Sequence, residues 1–117
     1  MDPIVSLGSF GDLVPEEPFP GVVRVGFSSA HATVNRYTFA PGASFPTHRH
    51  PQEQITVIEE GELELTTAEG TRRLAAGDWT VFPGEVEHGL RAGVGGARVL
   101  AIIVPRRDGA NEYTVTG

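Results

Sequence analysis

Residues 45–61 read FPTHRHPQEQITVIEEG, a stretch that sets two histidines, two glutamines and a glutamate within seven positions, ahead of an apolar, alternating run. If His48 and His50 share a strand, the period of two sends both imidazoles to one face about 7 Å apart, within reach of a single ion. Gln54, beyond Pro51, offers an amide oxygen as a third ligand, and His88, after the turn segment FPGEVE, offers a fourth. Three neutral imidazoles and one amide oxygen make a mixed N/O site for one divalent transition ion (Mn, Fe, Ni or Zn), with room for one or two waters. Taking Glu53 in place of Gln54 would shift the strand parity by one and carry Thr56 and Ile58 to the opposite face. Gln54 is therefore the expected ligand. Its neutrality leaves the ion its full charge, which favours Lewis acidity and removes a metal-bound carboxylate base.

Composition narrows the remaining chemistry. The chain has no cysteine, and its nine basic residues are all arginine. Schiff-base lysines, thiol nucleophiles, disulfides and thiolate metal ligands are thereby excluded. The net charge of −6, with dispersed arginines, provides no basic face for phosphates or anionic lipid, which argues against nucleic acid and membrane surfaces as partners. The N-terminal segment MDPIVSLGSFGDLVPEEPFPG has neither a basic leader nor an apolar run of spanning length, so a cytoplasmic protein is expected.

The elements that must position these side chains read as strands. A length of 117 residues suits one domain, here 21–117, preceded by a proline-rich arm over 1–20. GVVRVGF, HATVNRYTFA, QITVIEEGELELTTAEG and TRRLAAGDWTVF are β-branched and aromatic runs separated by Pro, Gly and Asp. In Glu62-Leu63-Glu64-Leu65-Thr66 the alternation puts the leucines on one face and the carboxylates on the other. The nearly continuous apolar run ARVLAIIVP, 97–105, predicts a strand covered on both faces. Trp79, following the turn at Gly77-Asp78, is expected in the core. Together these features predict an all-β fold, a small antiparallel β-barrel.

From Gly42 the chain reads G-x5-H-x-H-x3-Q-x6-G, ending at Gly61, and from Gly77 it reads G-x5-P-x4-H, ending at His88. This pattern resembles the two-motif signature of the cupin superfamily, in which two histidines and an acidic residue of the first motif join a histidine of the second around one metal. The resemblance covers about residues 21–107 and implies a double-stranded β-helix, or jelly roll. The chain departs from the pattern at Gln54, where glutamate is usual, at Pro83-Gly84-Glu85, where P-x-G is common, and at Ala92, often asparagine. His50-Pro51-Gln52-Glu53-Gln54, with EEGELEL, FPGEVEHG and VPRRD, is similar to small single-domain cupins of the pectin-degradation and polyketide-cyclase types. The resemblance to the uronate enzymes implies an acid and an aromatic on the last strand. Ala101 and Ile103 stand there, and only Arg107 matches.

Beyond the metal set, the candidate catalytic residues are Glu53, Glu87, His31, Tyr37 and Arg107, and no organic cofactor site is expected. Three functions remain open: a Lewis-acid enzyme of isomerase, cyclase or lyase type on a small carbonyl or enolisable substrate, a non-haem Fe(II) dioxygenase, or a non-catalytic module holding a small ligand. The long apolar strand and the arm also predict a homodimer, the arrangement common among the small cupins that the chain resembles.

Overall fold

The computed structural model describes residues 4–109 and 112–117. A 3₁₀ turn, Phe10–Asp12, is capped by Ser9, whose hydroxyl accepts the Gly11 N–H at 3.3 Å. Strands β1 (Glu16–Phe19), β2 (Val22–Ser28), β3 (Thr33–Phe39), β4 (Ser44–Arg49), β5 (Glu53–Thr67), β6 (Gly70–Ala75), β7 (Trp79–Phe82), β8 (His88–Val104) and β9 (Thr114–Val115) follow. The chain is all-β, as expected. Among the described residues no helix is long and apolar enough to cross a membrane.

All strand pairings are antiparallel, in the order β1-β2-β3-β8-β4-β9, with β5 joined to β8, β6 and β7. Strands β5 and β8 are long because each serves two parts of the sheet. The first part of β8 lies between β4 and the end of β5, with Leu90 opposite both Phe45 and Leu65; the second lies between β3 and the start of β5, with Ala101 opposite Asn35 and Thr56. Register shifts between Ile58 and Glu60 and between Gly61 and Leu63 bend the pair, so the sheet curls into the jelly roll. At the bend Gly61 has a φ of 76°, and a Cβ built there would stand 2.1 Å from the Gly96 carbonyl oxygen. Only glycine fits so close an approach.

Parity then sorts the side chains. Leu63 and Leu65 are buried while Glu62, Glu64 and Thr66 are exposed, as the alternation predicts. Near the bend the inward residues are apolar, including Phe39, Leu63, Ala92 and Ala97; each fully buried large apolar side chain stabilises the fold by about 1.5–3 kcal/mol. Far from the bend they are polar: Thr33, Gln54 and His88. The barrel thus has an apolar floor and a polar chamber.

Three expectations are corrected. Trp79 is 69% exposed, because parity on β7 turns Phe82 inward and leaves Trp79 and Val81 outside. The 97–105 run is sealed on one face only. Ala97, Val99, Ala101 and Ile103 point into the barrel, whereas Leu100 and Ile102 are half-buried and Val104 is 40% exposed, since no second layer among the described residues covers the outside of β8. Strand β3 begins at Thr33, so His31 lies in the exposed turn before it, where its N–H meets the Ser29 hydroxyl. Within the 1–20 segment, residues 16–19 form β1 and pair with β2, while Ile4, Val5, Leu7 and Val14 are exposed.

Candidate metal centre

His48 is on β4 and opposes His88 at the start of β8, while His50 follows β4 by one residue and keeps the same inward parity. The turn that delivers His88 is tied to the first motif, since the Glu85 N–H donates to the His50 carbonyl at 2.7 Å. Ring centroids of the three histidines lie 4.3 to 5.7 Å apart, and one nitrogen from each falls within 4.8 Å of the others. His48, His50 and His88 are all buried and can hold one metal ion.

Each ring is oriented in the same manner. Nδ1–H donates to a carbonyl two residues away: His48 to Pro46 at 2.8 Å, His50 to Gln52 at 3.0 Å and His88 to Val86 at 3.0 Å. A carbonyl can only accept, so each imidazole carries its proton on Nδ1 and keeps a lone pair on Nε2. The His88 Nε2 is buried with no protein partner. Pinning the distal ring nitrogen in this way is how metal-ligating histidines are held.

Gln54 lies on the same inward face. Its amide NH₂ donates to the Thr56 hydroxyl at 2.9 Å, which turns Oε1 toward His50 Nε2 at 3.0 Å. The Gln54 amide thereby sits beside the lone pair of His50 Nε2 on the inward face. The donor set thus fits a divalent ion, with His48, His50, His88 and Gln54 as the residues that would hold it. Glu53, one position earlier, is exposed.

Burial sets the charge of the rings. Desolvation lowers the His48 pKa to about 4 and that of His88 to about 3, and lowers that of His50 as well; the positive charge of Arg107 adds to the effect on all three. Phe82 stacks on His88 at 4.0 Å, and Phe45 and Tyr113 lie against His48 at 4.4 and 5.5 Å. All three histidines are neutral and ready to bind metal at pH 7.

A pH dependence follows. These folded-state pKa values are depressed, so the unfolded chain takes up protons below about pH 6.5 that the folded chain refuses. The stability of metal-free protein is therefore full above pH 6.5 and is lost as pH falls toward 3–4, by roughly 2 kcal/mol each for His48 and His88 at pH 5. Urea midpoints at pH 7 and pH 5 measure it, with His88→Gln reducing the difference. Equal midpoints for the parent protein at the two pH values would contradict the assignment.

Of the other sequence candidates, Tyr37 and Arg107 are inside, with 6% and 7% exposure. Arg107 hydrogen-bonds the Tyr37 hydroxyl, which also receives the Asn35 amide at 3.4 Å. Glu87 is outside, 3.9 Å from Arg49, and His31 and Glu53 are also outside the chamber. Sequence reasoning missed Arg24, buried on β2 at the parity of Val22; a charged residue at an inward position was the available signal. It also missed Gln52, Glu112 and Tyr113. Gln52 donates to Glu112 at 2.9 Å and so holds the C-terminal segment against the chamber, a contact no local pattern announces.

Comparison with known proteins agrees with this geometry. Residues 35–103 match the family model described as a cupin domain. The chain is 36% identical over 107 residues to germin-like protein 1-1 of Oryza sativa subsp. japonica, covering 86% of this chain and 47% of that protein, so it spans about half the length of that relative. It is 36% identical over 72 residues to the beta-alanine degradation protein BauB of Pseudomonas aeruginosa, covering 59% of this chain and 76% of that one. The structure of KdgF from Halomonas sp. superposes with a TM-score of 0.77 at 28% identity, covering 87% of this chain and 97% of that one. The curled antiparallel barrel, the three convergent histidines and the match over most of the strands lead to one conclusion: this chain belongs to the cupin family.

Proposed function

We propose that the chain is a metal-dependent enzyme of isomerase, cyclase or lyase type acting on a small carbonyl or enolisable substrate. The observation that carries this reading is the convergence of the buried His48, His50 and His88, one nitrogen of each within 4.8 Å of the others, with the Gln54 amide 3.0 Å from His50 Nε2. A divalent ion at this site would act as a Lewis acid at full charge, because all four proposed ligands are neutral. The side chains of this protein supply the rest. Thr56 holds the Gln54 amide in its ligating orientation, and Ala101, Ile103 and Phe82 wall the chamber with apolar surface that excludes water. Tyr37 Oη, buried and hydrogen-bonded by Asn35 and Arg107, is the group placed to hold or move a proton. The name of BauB, a beta-alanine degradation protein, agrees with a small-molecule substrate. The reading includes a homodimer, supported by the exposed apolar residues Ile4, Val5, Leu7, Val14 and Trp79.

Metal analysis of protein purified without added metal, followed by turnover and oxygen-uptake assays on diketones, phenols and sugar acids, tests the reaction class. Turnover without oxygen uptake is expected. Iron with substrate-linked uptake would select the dioxygenase reading, and ligand binding without turnover the non-catalytic one. Gln54→Glu adds a charge to a nearly isosteric ligand. It should hold the ion at least as tightly, shown by competition with a chelator, and turn over about tenfold more slowly, equivalent to about 1.4 kcal/mol in the barrier. Unchanged or faster turnover would show that the neutral amide is not there for Lewis acidity.

A further inference from the structure

The three histidines are shut in. His48 is 4% exposed, His50 2% and His88 1%, so an ion or a substrate reaches them only when a wall of the chamber moves. Most of that wall is fixed, because β3, β5 and β8 are each hydrogen-bonded along both edges. Segment 112–117 is different. Its strand β9 has two residues and, among the described residues, pairs with β4 alone, with Val115 opposite His48 and Thr114 opposite Arg49. The N–H groups of Thr116 and Gly117 both donate to the Thr47 carbonyl, at 2.8 and 3.1 Å, and residues 114–117 are exposed. A segment with so few buried contacts opens with far less free energy than global unfolding requires.

The same segment meets the site at two points. The Tyr113 ring stands edge-on to His48, with centroids 5.5 Å apart, and packs on Phe45 at 5.4 Å and on Phe19 at 6.3 Å. Glu112 accepts the Gln52 amide with one oxygen, at 2.9 Å, and with the other the N–H groups of Asp108 and Gly109, at 3.0 and 3.4 Å. Gln52 is buried, and its own carbonyl is the one that holds His50 Nδ1–H, at 3.0 Å. One residue therefore orients His50 with its backbone and grips the segment with its side chain. An ionised acceptor makes that grip one of the stronger kinds of hydrogen bond.

We propose that residues 112–117 form a strap across the entrance of the metal chamber, latched by the Gln52–Glu112 hydrogen bond, and that its release uncovers His48 for the passage of ions and small ligands. The strap depends on the metal-centred reading above only for its traffic in ions. The shielding of His48 does not depend on that reading.

Stopped-flow uptake of Co²⁺, and its release into excess chelator, test the strap on the full chain. Glu112→Ala should speed both by about tenfold, the effect of losing one charge-assisted hydrogen bond. The Kd should stay within about threefold of the parent value, because a strap that opens alike in the free and loaded protein changes both rates by one factor. Glu112→Gln, whose amide oxygen still accepts from Gln52, should restore most of the parent's rates. Faster release with unchanged uptake and weaker binding would mean that the segment only supports the ligands, and rates unchanged in Glu112→Ala would mean that there is no latch; either result overturns the strap. A readout on metal-free protein keeps the two readings apart. Diethyl pyrocarbonate modifies neutral imidazoles, and mass spectrometry should show His48 modified about tenfold faster in Glu112→Ala than in the parent, with the exposed His31 and amide exchange along β8 unchanged. If Co²⁺ does not bind while His48 is uncovered in this way, the strap stands and the metal-centred reading falls. If His48 is modified equally in the two proteins, or faster only because exchange along β8 has risen as well, the strap is wrong.

Discussion

Replacing His48 and His50 together, as His48→Ala with His50→Ala, abolishes stoichiometric binding of a divalent ion. The two rings supply half of the proposed ligand set, each with Nδ1 tied to a carbonyl and Nε2 directed inward. Loss of even an outer partner of a metal ligand costs about 10–100-fold in affinity, so removing two ligands should lower it by far more. Elemental analysis after dialysis should fall from one ion per chain to background, with far-ultraviolet circular dichroism unchanged. The fold should survive because neither imidazole is needed by the apolar floor around Phe39, Leu63 and Ala97, which lies at the other end of the barrel. One tightly held ion per chain in the double variant would place the metal elsewhere and remove the basis of the functional reading.

Gly61→Ala is expected to be the most damaging single-atom-scale change to the fold. The residue has a φ of 76°, which costs an alanine about 1–2 kcal/mol, and the new methyl carbon would stand 2.1 Å from the Gly96 oxygen and 2.9 Å from the Ala97 Cα. Both neighbours are backbone, so relief requires β5 and β8 to separate at the bend, and overpacking of this kind adds about 1–3 kcal/mol. A total of roughly 3 kcal/mol should lower the melting temperature by about 10 °C. Gly42→Ala is the matched control: its φ is 72° but a Cβ there meets nothing within 4 Å, so only the backbone cost applies. Equal losses in the two variants would mean that the close approach of the strands contributes nothing.

The local pattern of the sequence determined which residues face the interior wherever a strand alternates. The H-x-H pair, Gln54 in preference to Glu53, and Leu63 with Leu65 all follow from a period of two, which needs no knowledge of the partner strand. Glycine at 61 was legible as a motif position, but its reason was not, because the oxygen it must avoid belongs to a strand thirty-five residues later. Tertiary structure alone decided the remainder. Pairing across the sheet sets His88 opposite His48 and puts Arg107 beside Thr33, contacts spanning forty to seventy-four positions that no local period encodes. It also decided that Trp79 is outside and that the outer face of β8 is only half covered, since burial depends on what a second layer supplies and not on how apolar a segment is. The convergence of the three histidines with Gln54 and the burial of Arg107 against Tyr37 are likewise properties of the closed barrel, which brings together polar groups that each strand, taken singly, would leave in water.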